Sequence, residues 1–293
     1  MEAPGWFTDA LAAPVKDGFV DVDGCSVHYR WWGDGDRPAL VLVHGGAAHS
    51  QWWDHVGPML ATEYCVAALD MSGHGDSDRR ETYRIADWAR EIVAVAGEFS
   101  SHGPPVIVAH SMGGWVGMAT AAHHGDAIGG LILLDSAVFR RDPEADAADR
   151  GTAFAPRLKT YPTLDDARAR FRPVPDQPTS LPYVIEHVAR TSLREVDGGW
   201  QWKFDPKVLA PVGEPGGAML DRITSRIALF RAEFGLVTED IGREMYEGLG
   251  RVAPVIEVPL AWHHIMLDQP IALVTGLRAL LADWQHSDPF QRA

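Results

Sequence analysis

Cysteine is almost absent. Only Cys25 and Cys65 occur in 293 residues, so no disulfide framework staples the chain, and both thiols, set in strand-like segments, read as reduced and buried. Positive charge is also scarce. Lys and Arg number 26 against 40 Asp and Glu, a net charge of -14, which excludes the basic surface that nucleic acid or an anionic membrane requires. No apolar run reaches the roughly 18 residues of a membrane-spanning helix. The first twenty residues carry Glu2, Asp9 and Asp17 instead of a basic start and an apolar stretch, so no secretory leader is expected and the cytoplasm is the simplest compartment. What remains is 46% apolar and 23% charged residues, enough for a sizeable buried core.

The most informative stretch is Val106-Ile107-Val108-Ala109-His110-Ser111-Met112-Gly113-Gly114-Trp115. A β-branched run suited to a buried parallel strand breaks at Ser111 and resumes as a helix-like run from Trp115 to Ala122. A serine at so sharp a strand-to-helix turn needs small residues two places to either side, here Ala109 and Gly113. This is a nucleophile elbow with Ala in place of its first Gly. It lifts the hydroxyl above the sheet edge and leaves the Met112 N–H, at a helix N-terminus, facing any oxyanion formed beside it.

Upstream, Phe19–Asp23 and Ser26–Trp32 read as a hairpin over Asp23-Gly24, and Ala39–Val43 as a strand covered on both faces. The following His44-Gly45-Gly46 loop brings backbone close to a ligand, and the Gly46 N–H is the expected second oxyanion donor, with Gly45 at the substrate. Tyr64–Asp70, Leu131–Leu134, Arg226–Arg231 and Pro254–Pro259 read as further strands; Thr82–Ser100, Thr238–Leu249 and Ile271–Gln285 read as helices. Ala137 to Asp221 breaks the alternation with its prolines from Pro143 to Pro215, its acids at Asp142 to Asp149, and the aromatic patch Trp200-Gln201-Trp202-Lys203-Phe204.

The elbow, His44-Gly45-Gly46, the Gly73-His74-Gly75-Asp76-Ser77 loop and a late His263-His264 loop together resemble the α/β-hydrolase family. The resemblance implies a mostly parallel eight-stranded sheet flanked by helices, built from residues 1–136 and 222–293, with 137–221 inserted as a helical cap. It implies a structural role for Gly73–Ser77. It makes His263 the general base, seven residues before Pro270, with Trp262 where Gly is usual and His264 covering the site. Most relatives carry the triad acid after the strand before the last, where this chain has Gly235. Two acids remain: Asp135, which resembles the placement in haloalkane dehalogenases and some lactone hydrolases, and Glu233, in the usual loop but off its usual position.

A hydroxyl at residue 111 excludes the aspartate-nucleophile chemistry of dehalogenases and epoxide hydrolases of this fold. The expected reaction is cleavage of a carboxylic ester or lactone through an acyl-enzyme on Ser111, without cofactor. C–C, amide or thioester hydrolysis, perhydrolase activity and a non-catalytic ligand-binding homologue are the alternatives. The expected partner is a small apolar or aromatic ester, because Trp53, Trp115 and Trp262 flank site elements. Caps of this family shape the pocket, which implies substrate contacts for Trp200, Trp202 or Phe204; the alternative is that they form the cap's own core. His123-His124 reads as a solvated helix end, and no His, Cys and acid spacing suggests zinc.

Overall fold

The computed structural model describes residues 2–138, 158–213 and 219–287. Its strands are β1 (Lys16–Val22), β2 (Cys25–Trp32), β3 (Ala39–Val43), β4 (Cys65–Leu69), β5 (Val106–His110), β6 (Gly130–Leu134), β7 (Leu193–Val196), β8 (Gly199–Trp202), β9 (Ile227–Phe234) and β10 (Val255–Trp262). Eight of them form one sheet in the order β1-β2-β4-β3-β5-β6-β9-β10. The pairs β1–β2 and β2–β4 are antiparallel, and every other pair is parallel. This is the expected sheet, strand for strand.

The unbroken apolar runs have a simple cause: both faces of the sheet are covered, so successive side chains alternate between two cores. Val41, Val43, Ile107, Ala109, Leu131 and Leu133 enter one apolar cluster. Leu40, Leu42, Val108, Ile132 and Leu134 enter the other. Helices α2 (Ile85–Glu98) and α3 (Met112–His124) close the first face, with Trp88, Ile92, Val95 and Val116 buried in it. On the second face lies the helix Pro270–His286, through Leu273, Leu277 and Leu281. Helix α1 (Gly5–Ala12), not anticipated, packs Phe7 against the same face; at eight residues its periodicity is too brief to stand out.

Residues 137–221, expected as a helical insert, are described in part. The described part carries the helix Pro182–Thr191, but also an antiparallel hairpin of β7 and β8 turning at Asp197-Gly198. Aspartate followed by glycine between aromatic and β-branched residues favours a two-residue hairpin over a helix. Asp142–Asp149 and Pro215 lie outside the described residues. Among the described residues, no helix is long and apolar enough to cross a membrane.

Candidate active site

Ser111 stands between β5 and α3 with φ 54° and ψ -124°, a backbone conformation that costs a residue with a Cβ free energy and holds only when the surroundings enforce it. The enforcement is visible next door. A Cβ on Gly113 would collide with the carbonyl oxygen of His44, so only glycine lets α3 start this close to the β3 loop. The Ser111 hydroxyl thereby sits beyond the carboxyl end of the sheet, 2.9 Å from Nε2 of His263.

His263 follows β10, and its Nδ1 lies 2.7 Å from Oδ2 of the fully buried Asp135. The carboxylate only accepts, so Nδ1 carries the proton and Nε2 keeps its lone pair for the serine O–H. Asp135 also accepts from the backbone N–H groups of Ala232 (3.1 Å), Leu236 (2.7 Å) and Val237 (3.3 Å). Gly235 occupies the tip of that wrapping loop, and a Cβ there would run into the Asp135 carboxylate. The glycine and the displaced acid are thus two sides of one packing arrangement. Glu233 takes a different place: its carboxylate accepts the Leu260 N–H at 2.7 Å, at the surface.

The loop after β3 is held by His44. Its Nδ1–H donates to the Gly45 carbonyl at 2.7 Å and its Nε2 accepts from the Met71 N–H at 3.1 Å. In a trans peptide the N–H points opposite to the C=O, so fastening the Gly45 oxygen on one side turns the Gly46 N–H to the other. Gly46 and Met112 both line the cavity that contains Ser111, and neither N–H has a protein acceptor among the described residues. The Asp70 carboxylate ties this loop to Gly73–Ser77 by accepting from Ser50 N, Asp76 N and the His28 ring.

Two further histidines lie beside the line: His110, which has no role in the expectations above, and His264, expected to cover the site. His110, inside the elbow, donates from Nε2 to the His263 carbonyl at 3.0 Å and so anchors the base's backbone. Burial, with His263 and His264 adding to it, holds its pKa well below the usual histidine range. His264 packs over His263 with ring centroids 4.7 Å apart, and burial pushes its pKa down to about 3. One ring nitrogen each of His110, His263 and His264 lie within 4.8 Å of one another, one of two such groupings among the described residues, the other being His28, Asp70 and Asp76. Both ring nitrogens of His263 are engaged in the serine-to-aspartate line. Asp268, whose Oδ2 accepts the Trp262 N–H at 2.7 Å, is raised to about 7 by burial.

The cavity above Ser111 measures about 370 Å³. Trp52, Trp115, Phe171, Trp202, Phe204 and Leu209 supply most of its apolar wall. Three residues expected at substrate lie off this wall. Gly45 is tucked against the His110 ring and the Ser111 Cβ, the backbone of Trp200 pairs with that of Tyr161, and the Trp262 ring faces Phe234 at 5.3 Å. Trp53 is core. His123 and His124 end α3.

The family model for the alpha/beta hydrolase family matches residues 40–276. Over 263 residues the chain is 28% identical to the esterase Rv0045c of Mycobacterium tuberculosis, covering 85% of this chain and 84% of that protein. Lipase LipV of the same organism is 33% identical over 112 residues, 38% of this chain and 42% of that one. The crystal structure of E-2-(acetamidomethylene)succinate hydrolase aligns with a TM-score of 0.79 at 21% identity, over 92% of this chain and 100% of that one. With a match that runs from β3 into the closing helix, and a sheet of the corresponding order, the chain belongs to the alpha/beta hydrolase family.

Proposed function

We propose that this chain is a serine hydrolase that cleaves carboxylic esters, lactones included, through an acyl-enzyme on Ser111. The carrying observation is the hydrogen-bond line from Ser111 through His263 to Asp135, 2.9 and 2.7 Å long, opening on a cavity lined by the Gly46 and Met112 N–H groups, which have no protein acceptor among the described residues. The names of the relatives, an esterase and a lipase, support the bond type.

His263 Nε2 takes the Ser111 proton as Oγ attacks the ester carbonyl, and Asp135 stabilises the resulting imidazolium without taking its proton. The Gly46 and Met112 N–H groups receive the oxyanion; one such donor is typically worth about 2.7 to 4 kcal/mol. The imidazolium then returns its proton to the leaving alcohol. A water deprotonated by the same nitrogen cleaves the acyl-serine and releases the acid. No step calls for a cofactor. The aromatic wall favours an apolar or aryl group on the substrate, and the insert acts as the cap that supplies Phe171, Trp202 and Phe204 to it.

Intact-protein mass after a serine-directed fluorophosphonate, with turnover of a short aryl ester in parallel, tests this reading. One adduct and ester cleavage are expected on the wild type, and both vanish in Ser111→Ala. A folded wild type that takes no adduct and cleaves no ester would instead mark a ligand-binding homologue.

A further inference from the structure

The cavity wall contains a buried imidazole that the mechanism above does not use. His49 follows the Gly46 loop, is 1% exposed and lines the cavity beside Trp52 and Ser192. Its Nε2 lies 2.8 Å from the Ser192 hydroxyl oxygen, and that same oxygen lies 2.7 Å from the carbonyl oxygen of Val188. A carbonyl cannot donate, so the single hydroxyl proton of Ser192 points at Val188. Nε2 of His49 must then supply the proton in its own bond to Ser192. This fixes the tautomer: Nε2 is protonated, and Nδ1 carries a bare lone pair with no protein donor among the described residues. Burial pushes the ring's pKa down to about 3, so the ring stays neutral and accepting across the working pH range.

We infer that His49 Nδ1 is a specificity element of the cavity, accepting a hydrogen bond from an O–H or N–H donor on the substrate. The class of substrate is accordingly an ester whose acyl or alcohol part carries a hydroxyl or amide N–H, within an otherwise apolar frame. The inference rests on the hydrolase reading of Ser111. Its physical basis is asymmetric: a buried acceptor left unmet by the wrong substrate costs far more than an extra methylene does, so a site built to pair with a donor rejects the analogue that lacks one.

The test is a matched series of aryl esters. Straight-chain acyl groups are compared with their 2-, 3- and 4-hydroxy and acetamido counterparts, and a second series places the donor on the alcohol. The readout is the ratio of kcat/KM for donor over donor-free ester. In the wild type we expect that ratio to reach about tenfold or more at one position. His49→Gln, whose side-chain N–H reaches the Nε2 position and keeps the bond to Ser192, should flatten the ratio. His49→Asn, whose oxygen falls near the Nδ1 position, should retain part of it. A flat ratio in the wild type at every position of both series overturns the inference, as does an unchanged ratio in His49→Gln. Esters cleaved without discrimination sink only the role of His49. Absence of both cleavage and a Ser111 adduct sinks the hydrolase reading and this inference together.

Discussion

Asp135 accepts three backbone N–H bonds besides the one from His263, and it is fully buried. Such a carboxylate is held in one orientation by its own loop, so it can set the tautomer of His263. In Asp135→Asn an amide N–H facing Nδ1 would force the proton onto Nε2, leaving no base for the serine. Turnover should fall by about 10²-fold or more, whereas Glu233→Gln, which alters a surface bond to Leu260, should change kcat little. Steady-state kinetics on the two variants decides it, and the reverse ranking would move the acid to Glu233. Ser111 and His263 were legible because an elbow and its following helix write a local pattern into the chain. The choice between two acids was not, because the partner of Nδ1 lies 128 residues away and is selected by how β6, β9 and β10 lie together.

The hairpin of β7 and β8 explains why one tryptophan of the aromatic patch reaches the cavity and another does not. Trp200 and Trp202 share a strand face, but two residues along a strand is a shift of about 7 Å. Trp202 lines the cavity and packs on Phe171 with centroids 5.9 Å apart, while Trp200 lies off the cavity wall, its backbone paired with that of Tyr161. Trp202→Ala should therefore raise KM for a bulky aryl ester by about tenfold, the loss expected from one large apolar contact. Trp200→Ala should leave KM near the wild-type value; equal losses from both variants would contradict the assignment. The patch could be seen in the sequence as aromatic and inserted. Its strand form was available from Asp197-Gly198, yet the surrounding prolines obscured it.

The stretch expected as an insert is not a separable lobe. Phe171, Val184 and Val188 share one apolar cluster with Leu134 and Ala232 of the central sheet and Leu273 of the closing helix. Burial common to both parts couples their unfolding, so heat denaturation should give one transition, with coincident midpoints by tryptophan fluorescence and far-ultraviolet circular dichroism. Two resolved transitions would show a cap that melts on its own. The alternation of strands and helices, the double coverage of the sheet, and the elbow with its serine all followed from local composition and period, because the covering of a strand and the tightness of a turn leave their mark on neighbouring residues. The tertiary structure alone decided which carboxylate meets His263, which aromatic side chains face Ser111, and that the His49 tautomer depends on a serine 143 positions later. Each of these is a contact between segments distant in the chain, set by the relative placement of sheet and insert, and distance of that kind leaves no periodic trace in a sequence.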